Sequence, residues 1–108
     1  MKIRIIALLA AAAVTMGFQT PVFADPALAI AKNCMACHAT DKKMVGPSYK
    51  AVSEKYAADA GAVKMLAEKI QKGSTPGKGN WGPVPMPANP QVTEAEATKL
   101  AAWVMTIK

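Results

Sequence analysis

The sequence predicts an all-α fold of about four short helices. Two segments carry apolar residues at helical spacing, helix-start and helix-stop residues bracket them, and no segment reads as a strand or an internal repeat. At 108 residues the chain has room for one small domain.

Residues 1–24 stand apart from the rest. Lys2 and Arg4 precede the apolar run 5–14, and the stretch ends Val22-Phe23-Ala24 before Asp25. A positive start, an apolar middle and small residues at the end form a secretory signal, with cleavage expected after Ala24. The run is shorter than the roughly 20 residues a membrane-spanning helix needs. The domain is therefore expected to be 25–108, exported and not inserted in a membrane once cleaved.

The first expected helix covers 26–33, with Pro26 suited to the first helical position. Cys34-Met35-Ala36-Cys37-His38 follows, then a loop with Gly46-Pro47 and a short helix over 47–56. Residues 61–72 form an amphipathic helix: Val63, Leu66, Ala67 and Ile70 share one face. Lys64, Glu68 and Lys72 line the other, with Glu68 and Lys72 in the favourable i,i+4 order. Gly73 sits where a left-handed cap is wanted. Between Gly73 and Pro90 lie five of the eight prolines and four of the seven glycines, too many for a helix or a central strand. Thr93 and Glu96 then form a capping box, and the last helix is expected to run to the chain end, with Ala97, Leu100, Ala101, Val104 and Ile107 on one stripe.

Residues 25–108 hold 39 apolar side chains, but 16 are alanines and two are the cysteines. Domains this small often depend on a disulfide, a metal or another insert. The alanines fill little volume, so an additional group is expected in the middle. This composition excludes a large enzyme with a deep pocket of its own making, and it is too apolar for disorder. The same segment has 11 lysines against seven acidic residues, spread along the chain. A nucleic-acid binder would concentrate its basic residues and interleave aromatics. A mildly basic surface that meets an acidic protein partner fits better.

Both cysteines and the only histidine fall in Cys34-x-x-Cys37-His38. A structural zinc site needs four ligands, and only three are here. A redox dithiol would need a βαβ context, and a plain disulfide leaves His38 unexplained. Covalent attachment of a c-type haem accounts for all three residues, since C-x-x-C-H is its signature. On a helical turn the two thiols face one way, able to bond two vinyl groups of one haem, and His38 projects from nearly the same face, under the iron. The flat apolar ring would also supply the missing core.

With one histidine in the chain, the second axial ligand must come from elsewhere. Met35 lies inside the attachment turn, and Met65 and Met105 lie on helices where packing is the usual role. Met44 is a weaker candidate. Met86 lies in Gly82-Pro83-Val84-Pro85-Met86-Pro87, where flanking prolines fix φ and reduce the entropy lost on holding the thioether at the iron. Met86 is the expected ligand.

These segments resemble the small class I bacterial cytochromes c, the cytochrome c-551/c-552 group of periplasmic electron carriers. The resemblance covers essentially all of 25–108. It rests on the attachment motif, Lys43-Met44-Val45-Gly46-Pro47, Trp81-Gly82-Pro83-Val84-Pro85-Met86-Pro87 and the C-terminal helix with Trp103. It implies the cytochrome c fold, with terminal helices crossing beside one covalently bound haem c. It implies thioethers at Cys34 and Cys37, and axial ligation by His38 and Met86. The Pro47 carbonyl would accept from the His38 ring, Trp81 would donate to a haem propionate, and Asn89 would lie near the methionine sulfur. Lys69 would sit where a basic residue approaches a propionate. The loop 73–80 is longer than in the shortest members.

An iron ligated on both sides has no vacancy for oxygen or peroxide, which points to a monomeric one-electron shuttle between redox proteins, docking with help from lysines, and not to an enzyme. The alternative, a five-coordinate haem protein with a peroxidase or gas-sensing role, would need a distal His, Arg or Glu. Residues 25–108 contain no arginine and no second histidine.

Overall fold

The computed structural model describes residues 26–75 and 81–108. The expected signal segment and its cleavage point lie outside the described residues, as do residues 76–80 of the long loop.

The described residues form four α-helices and no strand: α1 (Pro26–Ala31), α2 (Tyr49–Lys55), α3 (Ala62–Lys72) and α4 (Glu94–Val104), with a single 3-10 turn at Cys34–Ala36. The boundaries are tighter than expected, each for a local reason. The first helix stops at Ala31 because Asn33 takes a left-handed φ of 63°, a conformation in which asparagine is among the more tolerant residues. The second starts at Tyr49, not Pro47, because the Ser48 hydroxyl accepts from the Ala51 N–H at 3.1 Å and acts as its N-cap.

Helix α4 begins with the expected capping box, Thr93 and Glu96 each accepting from the other's backbone. It does not run to the chain end. After Val104 the Thr106 and Ile107 amides bond three residues back, to Trp103 and Val104. The Ser53 hydroxyl of α2 donates to the Met105 carbonyl at 3.1 Å, a carbonyl the helix would otherwise leave unpaired. Ile107 thereby packs beside Tyr49 and Val52.

α3 and α4 make the largest helix contact, and α1 and α2 each pack on α4 as well. The apolar stripes meet there: Ala67, Val92, Ala97, Leu100 and Ala101 are buried, with Val63, Leu66 and Ile70 packed against them. Among the described residues no large side chain is completely enclosed; the residues at zero exposure are Ala29, Ala97 and Ala101. The one ion pair among the described residues is Lys32–Glu96 at 3.2 Å, with the Lys32 ammonium also donating to the Gln91 carbonyl. The i,i+4 pair expected of Glu68 and Lys72 is not closed.

Candidate haem site

Cys34 opens the 3-10 turn, and its carbonyl accepts from both the Cys37 and His38 amides at 3.2 and 3.1 Å. The turn therefore brings the two thiols and the imidazole within one coil of backbone. The Gly46 amide returns to the Cys37 carbonyl at 2.8 Å and closes the loop that carries Pro47. His38 Nδ1 lies 2.8 Å from the Pro47 carbonyl. A carbonyl can only accept, so Nδ1 carries a proton, and in the neutral ring Nε2 keeps its lone pair. Gly46 is fitted against the ring: a Cβ there would fall 2.8 Å from His38 Nδ1.

Tyr49 supports the same ring. Its own ring stacks on the imidazole, centroids 5.1 Å apart and planes 21° apart, and Trp103 meets Tyr49 edge-on at 5.2 Å. Burial pushes the Cys34 thiol up from its ordinary value. Burial, and then the neighbouring Cys34, hold the Tyr49 hydroxyl far above the usual tyrosine range. Sequence reasoning did not single out Tyr49 or Gly46. Gly46 carried a signal in its place before Pro47; Tyr49, one aromatic at a helix start, carried none.

Met86 is held by the chain that leaves α3. Its amide donates to the Ser74 hydroxyl at 2.8 Å, and its carbonyl accepts from the Ser74 amide at 2.9 Å. Asn89 caps α3 from a distance: its backbone amide reaches the Gln71 carbonyl at 3.1 Å, and Nδ2 reaches the Ile70 carbonyl at 2.8 Å. Nδ2 also donates to the Pro87 carbonyl at 3.3 Å, so both amide hydrogens are engaged by backbone.

These segments enclose a cleft of about 1170 Å³, counting the part open to solvent. Cys34, Cys37, His38, Met86, Tyr49 and Leu100 are among its lining residues. Pro47, Trp81 and Lys69 also line it, Asn89 lies outside that set, and Trp81 stands at 36% exposure with the Lys55 ammonium 5.3 Å from its ring centroid. Met65 lines the cleft too, whereas Met44, 42% exposed, does not. Cys34 and Cys37 are not joined to each other. Two unpaired thiols, an imidazole with its Nε2 lone pair free and a thioether on one apolar cleft are the donor set that a doubly thioether-linked haem requires. Among the described residues no cluster of three or more His, Cys, Asp or Glu side chains offers a rival metal site.

Comparison with known proteins agrees. Residues 26–108 match the family model for cytochrome c. The chain is 57% identical over 77 residues to cytochrome c-551 of Azotobacter vinelandii, covering 71% of this chain and 89% of that protein. It is 50% identical over 93 residues to cytochrome c-552 of Hydrogenobacter thermophilus, covering 86% and 91%. The crystal structure of Nitrosomonas europaea cytochrome c552 superposes with a TM-score of 0.73 at 45% identity, over 78% of this chain and all of that one. The cleft, its donors and these likenesses agree: the chain belongs to the cytochrome c family and is a c-type electron carrier with covalently bound haem c.

Proposed function

We propose that the protein is a periplasmic one-electron shuttle and not an enzyme, exported on residues 1–24 and matured by cleavage after Ala24. In this reading Cys34 and Cys37 form the thioethers, and His38 Nε2 and the Met86 sulfur take the two axial positions. When bound, the haem iron supplies one-electron redox chemistry. The observation that carries the reading is the 2.8 Å contact between His38 Nδ1 and the Pro47 carbonyl, which commits the tautomer of a ring on the cleft that Met86 also lines.

The described residues lining the cleft include no carboxylate and no imidazole besides His38, so they hold no acid–base pair for peroxide chemistry. Trp81 and Lys69 both line the cleft, and in this reading they would approach the propionates. Asn89 secures the Met86 loop and would adjust the setting of its sulfur. Lys42, Lys43, Lys50, Lys55 and Lys69 are exposed and would steer an acidic redox partner toward the monomer.

In the oxidised holoprotein, Met86→Ala is expected to abolish the sulfur-to-iron charge-transfer band and open the site to imidazole and cyanide. Met44→Ala should leave both unchanged; the reverse result would move the ligand to Met44. Electron transfer with a redox partner is expected to slow as salt rises, and a rate indifferent to salt would remove the lysines from docking.

A further inference from the structure

We infer that Ser74 is a positioning residue for Met86, gripping the methionine's main chain through its hydroxyl and its own amide and so keeping the thioether in the cleft. The inference rests on Met86 being the axial ligand proposed above. Pro85 and Pro87 have no N–H, so Met86 supplies the only main-chain donor of the Pro-Met-Pro run. That donor goes to Ser74 Oγ at 2.8 Å, and the Met86 carbonyl takes the Ser74 amide at 2.9 Å. The pair forms a closed two-bond ring between segments twelve positions apart.

Gly73 provides a second, independent observation. Its φ is +76°, and a Cβ there would fall 2.6 Å from the Met86 carbonyl oxygen and 2.7 Å from the Ala88 nitrogen. The residue before Ser74 is bare where the ligand loop lies on it, so the end of α3 and the loop are fitted backbone to backbone. A neutral thioether gives way to added ligands whenever its loop swings out. Without the Ser74 hydroxyl the Met86 amide loses its partner in a half-buried position, and the swing becomes easier.

The test uses the oxidised holoprotein with Thr and Val at position 74, which share a shape and differ in the hydroxyl. Ser74→Val is expected to keep the charge-transfer band without added ligand, yet to bind imidazole about tenfold more tightly and exchange the Met86 amide about tenfold faster. Ser74→Thr should restore both. Ser53→Ala, which loses the bond to the Met105 carbonyl, should lower the denaturation midpoint without tightening imidazole binding. Equal imidazole affinity in the Thr and Val variants, or the same change in Ser53→Ala, overturns the positioning role. Should Ser74→Val fail to fold, Met86 amide exchange in Ser74→Thr decides: exchange as slow as in the unaltered protein supports the grip, and exchange as fast as in Ser74→Ala overturns it. If Met86→Ala keeps the band, the ligand assignment fails instead, and Met86 amide exchange still reports on the grip alone.

Discussion

Between Cys34 and Pro47 the bonds that shape the cleft join residues nine positions apart or fewer. Around Met86 the corresponding side-chain bonds span 12 and 19 positions, and the neighbouring Gln71–Val92 bond spans 21. The histidine side is a local object, able to present two thiols and a ring as soon as one turn and one loop form. The methionine side exists only once α3 is in place, because its anchors are the carbonyls and the outgoing chain at the end of that helix. A fold assembled in this way should lose its sulfur before its imidazole under mild denaturation, since bonds that close longer loops are the less favoured by chain entropy.

The hardest test removes the local side. With Cys34 and Cys37 both replaced by alanine, covalent attachment should be lost completely, seen as the bare polypeptide mass and no haem colour on a denaturing gel. Any covalent haem left would break the assignment. Next come the two close-packed glycines, which weigh one side against the other. Gly73→Ala combines a strained φ with a clash against backbone, and should cost about 3 kcal/mol in chemical denaturation of the holoprotein. Gly46→Ala meets a side chain, the His38 ring, and should cost about 2 kcal/mol. A larger cost at Gly46 would mean that the histidine wall is the more rigid of the two.

The smallest effect lies outside both regions, at the capping box. Its Thr93 amide and the Lys32 ammonium hold the Glu96 carboxyl below its ordinary value. Stability from that shift is fully present above the unfolded-state value of 4.5 and is lost as pH falls through the folded value. Glu96→Gln keeps an acceptor for Thr93 and removes the charge, so acid titration of stability should be shallower below about pH 4.5. An unchanged acid limb would assign that stretch of the titration to other carboxyls.

The contrast between the two sides also explains what could be read from the chain in advance. Cys34, Cys37 and His38 fall within five residues, so spacing alone exposes their chemistry, and the stripes on α3 and α4 follow from periodicity. Met86 stands out as a candidate because prolines frame it. Ser74 does not, and Gly73 was legible only as the cap of α3, for their partners in the Met86 loop arrive through tertiary contact, and a serine after a glycine reads as an ordinary turn. The end of α4 at Val104 was likewise hidden, since the apolar stripe continues to Ile107 while the Thr106 and Ile107 amides switch to bonds three residues back. Asn89 was singled out only through the family resemblance, as a polar residue near the methionine sulfur, and not as the residue whose Nδ2 reaches the Ile70 carbonyl nineteen positions earlier.

Ala29, Ala97 and Ala101, the three positions with no exposure, carry a further consequence. In most proteins the interior is vulnerable to trimming, because large side chains leave holes when shortened. Here the most enclosed sites are already minimal, and every substitution except glycine adds atoms where neighbouring helices leave no room. Mutational drift at these three sites should therefore be narrow, and change in this molecule should collect at the rim of the cleft.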